Sequence, residues 1–344
     1  MGVETIGSPW MWGGFILFVL AMLALDLGVF HRHAHAVRFK EALTWSIVWI
    51  GLALVFNAGL WFFFGKERGL EFLTGYVIEK SLSVDNLFVF VVIFRAFAVP
   101  GALQHRVLFW GILGALILRA VFILAGAALL ARFHWMAYVF GAILLFTAVR
   151  LLLEREGEKD PRHTVTYRLF ARFVPTTDGY RDARFWVREG GRLLATPLLA
   201  VLLVVEGTDV IFAIDSIPAI FAVTDDPFIV FTSNIFAILG LRALYFLLAG
   251  LVEKFHYLKL GLAVILAYVG VKLLVSGFYE IPTGLSLGVI AGVLTIAVIA
   301  SVVRARRLER AGALPHTSAA SGEALTPGDG EASPAESTER SARG

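Results

Sequence analysis

Residues 79–94 read EKSLSVDNLFVFVVIF. The stretch places two carboxylates and an amide, Glu79, Asp85 and Asn86, in one of the most apolar parts of the chain. Burying such groups costs free energy unless each one is paired or hydrogen-bonded. Either the stretch is not buried, therefore, or these polar groups have a function inside it.

The composition indicates a membrane protein. Of the 344 residues, 58% are hydrophobic and the mean hydropathy is +0.78, whereas a soluble domain has about 45–50% apolar residues. The net charge of +3 is small and the basic residues are confined to certain loops, which argues against a nucleic-acid-binding surface. The absence of cysteine excludes disulfides, thiolate metal sites and cysteine nucleophiles. No basic segment precedes the first apolar run, so we expect a retained transmembrane helix rather than a cleaved signal peptide.

Nine segments are long and apolar enough to cross a bilayer, which takes about 20 residues per helix. They are 10–30, 41–64, 71–94, 104–130, 135–153, 195–222, 228–250, 257–276 and 284–303. Lys and Arg are concentrated in the loops on one side, 31–40, 95–106, 154–194 and 251–259, and at the start of the tail. The positive-inside rule therefore predicts an outside N-terminus and a cytoplasmic C-terminus. The tail, 304–344, is basic at first and then has a composition that predicts disorder.

The chain contains an internal repeat. Residues 84–100 (VDNLFVFVVIFRAFAVP) align without a gap with 208–224 (TDVIFAIDSIPAIFAVT), which sets Asp85 on Asp209. Further along, two segments that begin with LRA set Arg119 on Arg242. Polar residues that fall in register in this way argue against chance similarity among apolar residues.

Each copy of the repeat, 71–153 and 195–276, holds three predicted spans. Because three is odd, the second copy enters the membrane from the opposite side, which is typical of secondary transporters whose substrate site lies between the copies. The predicted fold is all-α and polytopic, with two inverted three-helix repeats. The two helices of 1–70 and the ninth helix, 284–303, are additions, and 154–194 is a basic cytoplasmic loop.

Acidic residues lie within the third and sixth predicted spans: Glu79, Asp85, Glu206, Asp209 and Asp215. A charge at the centre of a membrane helix costs about 2.5–3.5 kcal/mol on translocon-based scales, so these five side chains do not face lipid. They are either paired with Arg119, Arg242 and hydroxyls, or protonated, or they line a polar pathway and coordinate a cation. Two arginines cannot neutralise five carboxylates, which favours the pathway.

These acids do not share one face of each helix. At 100° per residue, Glu79, Ser83 and Asn86 lie on one face, whereas Asp85 lies about 120° from Glu79 and Asp215 about 180° from Glu206. We therefore predict two discontinuous or fully enclosed helices that cross near the centre, with Asp85 and Asp209 facing each other. Pro218, Gly207 and the Ser81/Ser83 pair are places where the backbone could unwind or kink.

The available ligands are carboxylate, amide, hydroxyl and carbonyl oxygens, which suit magnesium, calcium and manganese. Asn234 could add an amide oxygen or simply pack between helices. Arg119 and Arg242 are either structural partners of the acids or positive gates. Asp26 is either a supporting group for the site or a helix–helix hydrogen-bonding residue.

The segments LTGYVIEKSLSVDNLFVF, HRVLFWGILGALILRA and EGTDVIFAIDSIPAIFAVTDDPFIVFTSNIFAILGLRALYFLLAG closely resemble the TerC/Alx family of bacterial membrane proteins. The resemblance covers about residues 10–303 and implies a lysine-exporter-like architecture, an inner-membrane location, and a link to tellurite resistance and manganese export. Carried over by motif, the family's functional acids would be Glu79, Asp85, Glu206, Asp209 and Asp215.

The resulting hypothesis is an exporter of divalent manganese that exchanges the metal for protons through these carboxylates. It implies no enzymatic activity, no tightly bound cofactor, and lipid and divalent cations as partners. The alternatives are a calcium/cation exchanger, an intramembrane aspartyl protease, which lacks its expected GxGD sequence here, and a non-transporting scaffold that docks through 154–194.

Overall fold

The structure is a computed structural model that describes residues 5–30, 39–133, 135–153, 164–189, 191–248, 257–279 and 281–310. Its elements are α1 (Pro9–Phe30), α2 (Phe39–Phe64), α3 (Lys66–Ala96), α4 (Gly101–Arg132), α5 (Met136–Leu153), α6 (Val165–Phe173), β1 (Trp186–Glu189), β2 (Arg192–Ala195), α7 (Pro197–Phe221), α8 (Pro227–Leu239), α9 (Leu241–Leu248), α10 (Leu258–Val275) and α11 (Thr283–Arg310). The described residues up to Arg304 form one compact unit. The predicted disorder of 311–344 lies outside the described residues.

The helices fall where the sequence predicts membrane spans. Each predicted segment coincides with one helix or, for 228–250, with α8 and α9 together. In the described part of the chain, seven spans are long and apolar enough to cross a membrane: α2, α4, α5, α7, α8 with α9, α10 and α11. They confirm a polytopic helical membrane protein. α1 has a shorter apolar stretch, Pro9–Leu25, and α3 carries Glu79, Lys80 and Asp85, so the count of nine crossings stays a prediction.

Local sequence explains several helix ends. Gly65 separates α2 from α3 at φ 95°, a conformation that glycine adopts without the steric cost of a Cβ atom. α7 and α8 begin with Pro197 and Pro227, since proline suits the first helical turn, where its missing N–H would have no partner. The side chain of Asp226 caps α8 by accepting a hydrogen bond from the backbone N–H of Phe228 at 2.9 Å.

The expectation of discontinuous helices in the two acidic spans is wrong. α3 and α7 are unbroken, and α7 continues through Pro218. The interruption lies elsewhere, at Gly240 between α8 and α9. The acidic helices are packed by several neighbours, α3 by α2, α7 and α8, and α7 by α3 and α4. The alternative of full enclosure does not hold for α7 either, because Ile211 and Ile214 are 53% and 42% exposed.

Contacts between helices follow a regular pattern. α3 packs against α8, and α4 packs against α7, so the first helix of each predicted copy contacts the second helix of the other. The third helices, α5 and α10, pack extensively against each other. A two-fold relation between the copies would produce this pattern. It supports an internal repeat, whereas the inverted orientation of its copies stays a prediction.

α5 and α10 approach closely at two glycines. A Cβ atom on Gly141 would lie 2.9 Å from the carbonyl oxygen of Gly270, and one on Gly270 would lie 3.0 Å from the carbonyl oxygen of Gly141. Small residues at such a crossing let two membrane helices pack backbone against backbone.

The predicted loop 154–194 has secondary structure of its own. Its described part contains α6 and the antiparallel hairpin of β1 and β2, so the fold is not purely helical. This segment is fixed to the helix bundle, because the Tyr180 hydroxyl donates to the carbonyl oxygen of Phe97 at 2.8 Å and Phe185 lies beneath the guanidinium of Arg106. Thr166 of α6 lies directly against Gly207 of α7.

The outer surface suits a bilayer. Large apolar side chains are exposed along α2, α5 and α11, among them Phe62, Phe63, Leu153 and Ile296. In the opposite direction, α1 and α2 contribute Phe15 and Phe56 to an aromatic cluster that covers α3 and α8. The apolar faces that remain exposed are therefore the ones that contact lipid.

A candidate ion-binding site

Four side chains meet in the middle of the helix bundle. Glu79 comes from α3, Arg119 from α4, Asp209 from α7 and Asn234 from α8. Their exposed fractions are 0%, 1%, 5% and 0%, so all four are shielded from lipid and from bulk water. We call this group the central cluster.

Arg119 connects the two acids of the central cluster. Its Nη1 donates to Glu79 Oε1 and, at 3.0 Å, to Asn234 Oδ1. Its Nη2 donates to Asp209 Oδ1 at 3.0 Å and its Nε to Asp209 Oδ2 at 3.4 Å. This paired geometry on one carboxylate gives both strength and orientation. Two carboxylates and one guanidinium leave the cluster with a formal charge of −1.

Both oxygens of Glu79 are hydrogen-bonded. Asn234 donates from Nδ2 to Oε2 at 3.2 Å, and Ser83 donates from Oγ to Oε1 at 3.3 Å. Because the Asn234 amide accepts from Arg119 and donates to Glu79, the network fixes its orientation. The hydroxyl oxygen of Ser216 accepts a further bond from Arg119 Nη1 at 3.4 Å. Each charged side chain of the cluster is thus hydrogen-bonded, as buried ions require.

The other predicted acids of α7 lie outside the central cluster. The carboxylate of Glu206 lies against Gly114 of α4, where a Cβ atom would collide with it. Asp215 Oδ1 accepts a hydrogen bond from the Thr147 hydroxyl of α5 at 2.7 Å. At 100° per residue, Asp215 lies about 120° from Asp209 and about 180° from Glu206, so an unbroken helix points it elsewhere. Glu206 lies only about 60° from Asp209 but almost one turn earlier along α7, where it meets α4 at Gly114.

A cavity of about 180 Å³ lies beside the central cluster, between α3, α5, α7 and α10. Its polar lining consists of Asn86, Thr147, Arg150, Asp215 and Ser216. We call it the Asp215 cavity. It brings together the predicted site residues Asn86 and Asp215. It lies next to the central cluster, because Ser216 lines the cavity and also accepts a hydrogen bond from Arg119.

Three predicted residues have no described place in the site. The side chains of Asp26 and Asp85 lie outside the described part of the structure, so the predicted apposition of Asp85 and Asp209 stays a prediction. Arg242 is buried but does not belong to the central cluster. Of the two alternatives for Arg119, the structure shows the ion pairing.

Sequence reasoning missed Lys80. Its Nζ donates to the carbonyl oxygen of Ala237 at 3.0 Å, near the end of α8. A cation at a helix C-terminus interacts favourably with the unpaired carbonyls there, so Lys80 stabilises the end of α8 before the interruption at Gly240. The available signal was a lysine in an apolar stretch directly after Glu79.

The described side chains do not by themselves form a metal cage. Among them, no group of three or more His, Asp or Glu residues is close enough to hold a metal ion. The central cluster has two carboxylates, an amide and two hydroxyls, with Arg119 in the place that a cation would take between Glu79 and Asp209. The arrangement can therefore hold positive charge, and in this structure a protein cation provides it.

The sequence matches the profile of the integral membrane protein TerC family over residues 64–309. The chain belongs to this family. The match includes α3 to α10, and therefore the whole central cluster and the Asp215 cavity.

Relatives match nearly the full length of this TerC-family chain. It is 60% identical over 302 residues, 88% of this chain and 95% of the relative, to an uncharacterized membrane protein of Myxococcus xanthus. It is 51% identical over 306 residues, 86% of this chain and 95% of the relative, to an Escherichia coli K12 protein named "Putative membrane-bound redox modulator Alx". A Rickettsia bellii membrane protein is 39% identical over 299 residues, 87% of this chain and 99% of the relative. No solved structure matches the chain significantly.

Proposed function

We propose that this TerC-family protein is a secondary transporter of the bacterial inner membrane that exports divalent cations, above all manganese, in exchange for protons. The observation that carries the proposal is the central cluster. Glu79 and Asp209 come from different predicted repeat copies and meet inside a helix bundle, at 0% and 5% exposure. Ionisable residues in such positions commonly mark ion pathways.

The chemistry of the cluster suits a hard cation. Carboxylate, amide and hydroxyl oxygens are the ligands that manganese, magnesium and calcium prefer. A purely structural ion pair would need one acid for Arg119, whereas the guanidinium here bonds two carboxylates and leaves an excess negative charge. That excess favours the entry of a further positive charge.

Arg119 acts in this proposal as a tethered cation. When Arg119 bonds Glu79 and Asp209, their oxygens are unavailable to a metal ion. When a divalent cation takes the same oxygens, the guanidinium must withdraw, because two positive charges cannot share the space. Protons compete for the same carboxylates, so their arrival releases the metal. Alternation between these occupants would couple metal export to proton entry.

The orientation follows from the loop charges, with the N-terminus outside and α6 and the hairpin on the cytoplasmic side. The relatives' name, redox modulator, fits the same activity only indirectly. This chain contains no cysteine, so a redox effect would come from the metal that it moves rather than from thiol chemistry of its own. A link to tellurite resistance would be indirect in the same way, since an oxyanion suits acidic ligands poorly.

The decisive experiment is transport by the purified protein in liposomes. We expect manganese flux that increases with an opposing proton gradient, and slower flux of calcium and magnesium. Asp209→Asn and Glu79→Gln should each lower manganese flux at least ten-fold. Asp182→Asn, which changes an exposed loop acid, is the matched control and should transport like the parent.

Two results would contradict the proposal. One is the absence of flux for every divalent cation tested. The other is undiminished export by the variants, that is, Asp85→Asn and Asp209→Asn proteins that lower the manganese content of manganese-stressed cells as well as the parent protein does. Faster flux of calcium than of manganese would instead favour a calcium/cation exchanger that uses the same cluster.

A further inference from the structure

The Asp215 cavity is a polar site that the central cluster does not use. It lies between α3, α5, α7 and α10, and its volume is about 180 Å³. Apart from apolar residues such as Leu262 and Leu266, it is lined by groups that can bind or repel an ion: Asn86, Thr147, Arg150, Asp215 and Ser216.

Asn86 gives this cavity an unsatisfied acceptor. The residue is 1% exposed and its Oδ1 has no hydrogen-bond partner among the described residues. A buried carbonyl oxygen without a partner is unfavourable, so this amide favours an occupant that donates to it or coordinates it. Asn86 lines the cavity, so an occupant of that space is within reach of its amide.

Asp215 adds a carboxylate to the lining of the cavity. Its Oδ1 accepts from Thr147 at 2.7 Å, and no donor from the described part of the chain reaches its Oδ2. The Thr147 hydroxyl, which donates to Asp215, keeps its own lone pairs available. The cavity thus offers a carboxylate, an amide and a hydroxyl oxygen from α7, α3 and α5.

We propose that the Asp215 cavity is a separate waiting site for a partly hydrated divalent cation, which exchanges from there with the central cluster. This inference rests on the proposed function and divides the transport pathway into two stations. Water occupies about 30 Å³ per molecule in the liquid, so the cavity has room for an ion with several waters. Small divalent cations give up their waters reluctantly, and a site with few protein ligands suits them.

The cavity is adjacent to the central cluster. The Ser216 hydroxyl lines the cavity and also accepts a hydrogen bond from Nη1 of Arg119 at 3.4 Å. Arg150, in the last turn of α5, lines the same cavity. An ion in the cavity is therefore a neighbour of the central cluster, with which it can exchange.

Arg150 opposes binding at this site. Its guanidinium lines the same cavity and its charge acts on Asp215. It weakens the attraction between the carboxylate and a cation, which keeps the waiting site from holding its ion too tightly. Removal of the Asp215 charge and removal of the Arg150 charge should therefore change affinity in opposite directions.

The test is the concentration dependence of manganese flux from the cytoplasmic face of reconstituted protein. Asp215→Asn should raise the half-saturating concentration about ten-fold or more and leave maximal flux within about three-fold, and Arg150→Gln should lower the half-saturating concentration. Asp209→Asn, by contrast, should lose maximal flux. Opposite shifts in two variants cannot come from misfolding, and Asp182→Asn again serves as the matched control.

Equilibrium binding of Mn²⁺ to the detergent-purified protein separates this inference from the proposed function. The parent should bind manganese, and Asp215→Asn should bind it more weakly while Arg150→Gln binds it more tightly. If the parent transports manganese, but Asp215→Asn and Arg150→Gln change neither the half-saturating concentration nor the binding affinity, the waiting site is refuted and the transport function is not. If the parent binds manganese through Asp215 but shows no flux, the transport function is refuted and the cation site is not.

Discussion

Replacement of Arg119 by glutamine is the most direct test of the central cluster. The change leaves Glu79 and Asp209 buried without the guanidinium that bonds both. Removal of one partner from a buried ion pair costs about 3–5 kcal/mol. Because Arg119 has two acidic partners, we expect a loss near the upper end, about 4–5 kcal/mol in the free energy of unfolding. At 1.4 kcal/mol per factor of ten, this is on the order of 10³-fold in the folding equilibrium.

The loss should depend on the charges that remain. In Arg119→Gln with Asp209→Asn, only Glu79 stays charged, and Ser83 and Asn234 still donate to it. We therefore expect the double variant to recover about 1–3 kcal/mol relative to the sum of the single changes. Tryptophan fluorescence during unfolding by dodecyl sulfate in mixed micelles measures these free energies. Arg188→Gln, on an exposed strand position, is the control and should change stability by less than about 0.5 kcal/mol.

The same variant tests the role of a tethered cation. A metal at 100 times its dissociation constant stabilises the folded state by about 2.7 kcal/mol. If Arg119 competes with manganese, the metal should stabilise Arg119→Gln more than the parent, because the carboxylates are then available. A free energy of unfolding within about 1 kcal/mol of the parent would refute the ion-pair reasoning. Equal stabilisation of both proteins by manganese would refute the competition.

Three further changes test other parts of the fold. Gly270→Ala should lower the free energy of unfolding by about 1–3 kcal/mol, because its Cβ would lie 3.0 Å from a backbone oxygen of α5. Gly292→Ala, where a Cβ would meet nothing within 4 Å, is the control and should be neutral or stabilising in the same unfolding assay. Asp226→Ala removes the cap of α8 and the acceptor for residues 5 and 6. The free energy of unfolding should fall by about 1–2 kcal/mol, and proteolysis of the N-terminal segment should become faster. Unchanged proteolysis would contradict the contact. Tyr180→Phe removes the hydrogen bond to the carbonyl oxygen of Phe97, just after α3. It should lower the free energy of local unfolding of the hairpin segment by about 1 kcal/mol, as measured by hydrogen exchange. Tyr138→Phe is the control.

The sequence by itself determined the positions of the helices. A membrane span is a local property, since about 20 apolar residues in a row suffice to specify it, and every predicted segment coincides with observed helix. The sequence also selected Glu79, Asp209 and Asn234 as candidate site residues, because polar groups are costly inside apolar helices, and these three side chains meet in the central cluster. The family follows from the same segments, and the profile match confirms it.

Only the tertiary structure decided which of these groups meet. Arg119 could have been a partner or a gate from sequence, and its bonds to two acids depend on how α4, which packs against α7 and α8, brings the guanidinium to Glu79 of α3 and Asp209 of α7. Asp215 and Glu206 were grouped with Asp209 because they are neighbours in the chain. The unbroken α7 sends Asp215 towards Thr147 on α5 instead. Helix rotation and packing, which arise from contacts distant in sequence, separate one predicted site into a central cluster and a cavity beside it.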